Sequence, residues 1–148
     1  MIATGFVLIA LLALPGPALA ECVTLDVRTV AKGSALVFSG TVTRIEPTAA
    51  SQWGSEVVWL DVDRIWKGSP GKEVAIHNFK RTAEPFIFSR GTKYLVFAQR
   101  QTAEERSDFG LPTPGPATFG VGTCGGGTRT YESAKGEIGS LGTGRAPS

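Results

Sequence analysis

The chain has 148 residues, two cysteines, one histidine, and 15 basic against 13 acidic side chains, for a formal charge of +2. That near balance does not favour a polyanion partner, which would need several clustered cations, and the Lys80-Arg81 pair is too short to count, so no nucleic-acid partner is expected. A lone histidine excludes HExxH-type zinc sites and any centre that needs two imidazoles.

From Ile2 to Leu14 the chain is almost wholly apolar, Pro15-Gly16-Pro17 ends any helix, and Ala18-Leu19-Ala20 offers the small-x-small pattern that signal peptidase accepts. Residues 1–20 are therefore expected to be a signal peptide cut after Ala20, although no Lys or Arg precedes the apolar run, and the protein to be periplasmic or secreted. The run is shorter than the roughly 20 residues that span a bilayer. Glu21, standing before Cys22, does not fit a lipoprotein signal. The mature protein is expected to be soluble, with a single domain over 21–142 and a flexible Gly-Pro-Ser tail at 143–148. About 128 residues suffice for one core.

Two cysteines in an exported chain point to a structural disulfide, Cys22 to Cys124, because a zinc site normally takes four protein ligands, or three when catalytic. In the chain-entropy picture, closing a loop of about 100 residues stabilises by up to about 4.7 kcal/mol.

Residues 25–32 suit a short helix with Val27, Val30 and Ala31 on one face, stopped by Gly33. At 34–46 the period changes to two: Leu36, Phe38, Gly40 and Val42 share one face of a strand, and Ser39, Thr41 and Thr43 the other, with Gly40 marking a bend or bulge. After a polar loop at 47–55, residues 56–66 form the clearest strand, with Val58, Leu60 and Val62 opposite Val57, Trp59, Asp61 and Asp63. The turn Lys67-Gly68-Ser69-Pro70-Gly71 leads to a short strand at 74–77. A loop at 80–91 carries the apolar Phe86-Ile87-Phe88, and 94–98 is a fourth strand. Residues 100–116 are polar with three prolines and read as a mobile excursion, and 119–124 is extended again. Beyond the glycines, 130–141 suits a terminal helix with Tyr131, Ala134, Ile138 and Leu141 near helical spacing. The expected fold is mainly β: a five-stranded barrel resembling the oligonucleotide/oligosaccharide-binding (OB) fold, with a short N-terminal and a C-terminal helix.

Leu36-Val37-Phe38-Ser39-Gly40-Thr41-Val42, Val62-Asp63-Arg64-Ile65-Trp66-Lys67-Gly68, Gly91-Thr92-Lys93-Tyr94-Leu95-Val96-Phe97-Ala98 and the late Cys124 follow one another in an order that resembles the bacterial branch of the netrin-like, tissue-inhibitor-of-metalloproteinases-like (TIMP-like) family. The resemblance covers roughly 22–141. It implies an OB-like barrel with a helix packed beside it, used outside the cytoplasm as a non-enzymatic protein-interaction module. Animal members inhibit metalloproteinases through a free N-terminal cysteine whose amine and carbonyl chelate the catalytic zinc. Cys22 matches that cysteine by position, yet Glu21 would block its amine, and Thr24 stands where the animal Cys-x-Cys pattern has its second cysteine. The inhibitory role therefore requires Cys22 to become the free N-terminus, with a metalloprotease as partner; as an interaction module the chain is expected to bind another protein.

Enzymatic chemistry finds little support. His77 reads as a solvent-facing strand residue, and no nucleophile-elbow sequence accompanies Ser55 or Ser89. Asp61 and Asp63 lie about 7 Å apart on one strand face, which suits paired carboxylates but more simply a solvated barrel exterior. Gly71-Lys72 is followed by Glu73 where a phosphate loop needs Ser or Thr. Gly125-Gly126-Gly127 reads as a close turn past the disulfide rather than an anion cradle. No catalytic residue, metal or cofactor is assigned, and a small hydrolase ranks last. Of the tryptophans Trp53, Trp59 and Trp66, Trp66 reads as rim packing, and Trp59, on the face of Asp61 and Asp63, is the candidate partner-binding residue.

Overall fold

The computed structural model describes residues 22–48, 54–80, 82, 84–108, 110–111 and 115–148. The expected signal peptide, Glu21 and Trp53 lie outside the described residues. Helix α1 (Val27–Gly33) starts at Asp26, whose carboxylate accepts from the Thr29 amide at 3.0 Å, and it buries Val27. Strands β1 (Leu36–Pro47), β2 (Ser55–Lys67), β3 (Glu73–Phe79) and β4 (Lys93–Arg100) follow. Helix α2 (Ala103–Asp108), strands β5 (Phe119–Val121) and β6 (Arg129–Thr130) and helix α3 (Tyr131–Ile138) complete the order, and α3 continues as a 3-10 turn over Gly139–Leu141.

β1 pairs with both β2 and β4, β2 with β3, β3 with β5 in parallel, and β5 with β4, which closes a five-stranded barrel of OB type. β6 adds two residues along β4. Closure needs strong coiling of the long strands, and the β1–β2 register shifts three times along their length. One shift falls at Ser39/Gly40, where a Cβ on Gly40 would stand 2.7 Å from the Asp61 carbonyl oxygen. Because Asp63 is the extra residue there, the inward sequence Val58, Leu60, Val62 resumes at Ile65 rather than at Arg64.

The barrel interior holds Leu36, Phe38, Val42, Val58, Leu60, Ile76 and Val96. Phe86 and Phe88, from the segment before β4, plug one end against Tyr94: the three rings stack edge to face, with centroids 4.8, 4.9 and 5.8 Å apart. Outside, Val37, Leu95 and Phe97 pack under Val27 of α1 and Ala134 of α3, with Ile138 and Leu141 beside them. The expected face of α1 is thus the buried one, and of the C-terminal face Ala134, Ile138 and Leu141 pack here while Tyr131 lies under the Lys93 ammonium instead.

Three expectations need correcting. Within the 100–116 excursion residues 103–108 form α2, and Leu111, with Ala117 just beyond the excursion, covers Val57 and Ala75. That cover buries the outer face of β3 as well as its inner one, so His77 is fully buried instead of solvent-facing, with the Gln101 amide nitrogen 3.0 Å from Nδ1. The 143–148 segment is not free of the domain, since Arg145 pairs with Ile65 of β2.

Candidate functional site: the clasped N-terminal edge

Cys22 and Cys124 are joined, with Cα atoms 5.7 Å apart across 102 positions of sequence. The receiving turn, Thr123–Gly127, is left-handed through four residues: φ is 57° at Cys124, 70° at Gly125, 60° at Gly126 and 94° at Gly127. Glycine is needed for space as well as for φ. A Cβ on Gly125 would stand 2.6 Å from the Phe86 ring, and one on Gly127 would stand 2.7 Å from Val30. The turn is therefore wedged between the aromatic plug and α1, and the Cys124 amide donates to the Glu84 carbonyl at 3.2 Å.

Residues 22–26 run from the disulfide to the Asp26 cap as a strap. Arg129 holds the end next to the cap, donating to the Leu25 carbonyl at 2.8 Å, to the Gly127 carbonyl at 3.0 Å and to the Glu137 carboxylate at 2.9 Å. The guanidinium thus joins strap, glycine turn and α3 in one fork. At the cap, hydrogen bonds from Thr29 hold the Asp26 carboxyl below its ordinary value. Despite these anchors the strap presents Val23, 79% exposed, and Leu25, 50% exposed, to solvent. The 84–88 loop meets the same edge, because Glu84 places a carboxylate oxygen 3.5 Å from Cys22 Sγ, and Ile87 is 59% exposed. Open hollows of about 350 and 420 Å³ flank the strap, one beside Arg129, Ser133 and Glu137, the other beside Thr29, Val30 and Gln99.

Trp59 lies at the far side of the β1–β2 ribbon. Its indole donates to Glu46 at 3.1 Å, the Arg44 guanidinium sits 4.3 Å over its ring, and its inner face packs on the Val57, Leu111 and Ala117 cluster, so it is half-buried. Asp61 is exposed and Asp63 is bonded to Lys93 at 2.8 Å and Ser39 at 3.2 Å. The Lys93 hydrogen bond holds the Asp63 carboxyl below its ordinary value against the opposing effect of burial. Trp66, expected to pack at the rim, instead packs against the outer cluster beneath α1 and α3 and donates to the Gly142 carbonyl at 2.9 Å. Among the described residues, no three His, Cys, Asp or Glu side chains gather as a metal site would require.

The strap's disulfide was legible from the cysteine count. Arg129, which fastens it, gave no signal because an isolated arginine among small residues has no pattern. Leu25 falls within the helix expected at 25–32, but the helix begins at Val27, which leaves Leu25 and Val23 exposed on the strap. No family model matches the chain, and no curated protein matches it.

Proposed function

We propose that this is an exported, non-enzymatic protein-interaction module of the netrin-like, TIMP-like type, binding its partner through the clasped strap at 22–25. The observation that carries this reading is that Val23 and Leu25 stay exposed on a segment fixed at both ends, by the disulfide at Cys22 and by Arg129 and the Asp26 cap at Leu25. A free leader would lose conformational entropy on binding, whereas a strap already ordered by a disulfide, an arginine and a helix cap has met most of that cost. A disulfide fits an extracellular or periplasmic setting. No helix among the described residues is long and apolar enough to cross a membrane.

The test is chemical cross-linking in the native exported fraction, comparing wild type with a Val23→Asp, Leu25→Asp variant and with Trp59→Ala. A cross-linked species lost only in the strap variant is expected. Loss only in Trp59→Ala would move the binding surface to the β1–β2 face, and an unchanged pattern in all three would contradict the reading.

A second reading, inhibition of a zinc metalloprotease, is favoured by one observation: Cys22 is exposed at the start of the strap. It requires processing that removes Glu21, leaving the Cys22 amine and carbonyl to chelate the metal. Preparations beginning at Glu21 and at Cys22, assayed against zinc proteases, separate the two: inhibition by the Cys22 form alone supports chelation, and equal inactivity dismisses it.

A further inference from the structure

β2 is covered along one edge by β1 as far as Lys67, but along the other β3 pairs with it only from Ser55 to Asp61. The Val62 amide is taken by the Lys72 carbonyl at 2.7 Å. Beyond it the edge would stand open, and an open edge offers backbone groups to any extended chain. Residues 142–145 fill it. Ile65 and Arg145 exchange both backbone hydrogen bonds, each 2.8 Å. The Arg145 guanidinium donates to the Gly68 carbonyl at 2.7 Å and to Ser69 Oγ at 3.3 Å, so the Lys67-Gly68-Ser69-Pro70 turn supplies a small acceptor site for it. In return Arg64 donates to the Thr143 carbonyl at 2.7 Å and Trp66 to the Gly142 carbonyl at 2.9 Å.

Between these contacts Gly144 has φ 67°, and a Cβ there would stand 2.8 Å from Arg64 Cγ and 3.0 Å from both the Ile65 carbonyl oxygen and Trp66 Nε1. Glycine is required on two counts, conformation and space. The segment is thus held by backbone pairing, by two side chains that read its carbonyls, and by one guanidinium, which is how an extended peptide is recognised when it adds to a sheet edge.

We infer that the β2 edge at Ile65 is a docking site for an extended segment carrying a Gly-Arg pair, and that residues 142–145 are its ligand in cis. The glycine lets the backbone approach Ile65 and Trp66, and the arginine that follows reaches the turn. Because the tether from Leu141 is only a few residues long, the cis segment acts at an effective concentration in the millimolar range. A partner segment of the same chemistry therefore enters only where the cis segment has been displaced.

The experiment uses the full chain. In the Gly144→Val variant the added side chain should eject the segment, raising hydrogen exchange at the Ile65 amide while the barrel core stays protected. A synthetic peptide with the sequence of residues 142–148 is then titrated to about 1 mM, the scale of the effective concentration it must match. The Ile65 amide and Trp66 indole signals are followed by NMR. The peptide should bind the variant and return both signals toward their wild-type positions, should not bind wild type, and should bind at least about tenfold more weakly with Arg145→Ala in its sequence. Failure to bind the variant, an Ile65 amide as protected in the variant as in wild type, equal binding by the Arg145→Ala peptide, or equal binding by wild type would each overturn the inference. If Gly144→Val does not fold, Arg145→Ala in the full chain replaces it under the same criteria.

Discussion

At position 77 the chain places an ionisable ring where water does not reach, and burial pushes its pKa down from 6.5 to about 4. Because the folded-state value is the depressed one, the unfolded chain takes up the proton first. The stability linked to His77 is whole above pH 6.5 and declines as pH falls toward about 4, by up to about 3 kcal/mol. Replacing it in His77→Gln, which keeps an amide partner for Gln101, should remove that decline relative to wild type in urea unfolding series across the same pH window. Parallel profiles for the two proteins would contradict the assignment. Glycines supply a second contrast. Gly125→Ala meets a left-handed φ and the Phe86 ring together, and should destabilise by more than the about 1–2 kcal/mol of backbone strain alone. Gly136→Ala, in the middle of α3 with nothing within 4 Å of the new carbon, should stabilise by about 0.5–1 kcal/mol. Denaturation midpoints of both variants check the opposite signs.

Among the elements, α2 and the residues at 111 and 115–118 show that a polar stretch can still carry packed structure. Two apolar side chains, Leu111 and Ala117, attach it over Val57 and Ala75, and the Gln101 side chain meets His77 beneath. Leu111→Ala should cost about 2–4 kcal/mol by leaving a cavity, with faster hydrogen exchange in β3 and α2 as its local signature. Unchanged stability would mean that the excursion is not fastened there. The same element marks where sequence patterning stops being informative. β1, β2 and the apolar faces of α1 and α3 were legible because alternation or helical spacing marks a buried side, whereas β4, buried on both faces from Tyr94 to Ala98, was legible only as a run of aromatic and β-branched residues. β3 is covered on both sides, so its alternation carries no sign of direction, and His77 was misplaced. The shift at Asp63 turned Ile65 inward against strict alternation, and single-bridge pairing at Arg145 or two-residue pairing at β6 leaves no period to read.

For the whole molecule, the disulfide joins what closure of the barrel does not. The sheet already binds β1 through β5, whereas the strap at 22–26 is fastened by Cys22, Arg129 and the Asp26 cap. A Cys22→Ser, Cys124→Ser variant should lose about 2–4 kcal/mol of stability while keeping the barrel's hydrogen-exchange protection, with the new exchange confined to the strap, α1 and the glycine turn. The OB-type barrel and its flanking helices were readable in advance because length, strand count and the need to close edges leave few arrangements. How the edge is presented was not readable, since it depends on Arg129 and on a left-handed turn that only the folded chain defines.

A covalent clasp that presents the strap is the centre of the account, and a peptide map of the protein, digested without reduction after alkylation in the native state, tests it most directly. The account predicts one linked fragment containing Cys22 and Cys124, with neither sulfur alkylated, that separates into two peptides on reduction. Two unlinked fragments, each carrying the alkyl label, would contradict it.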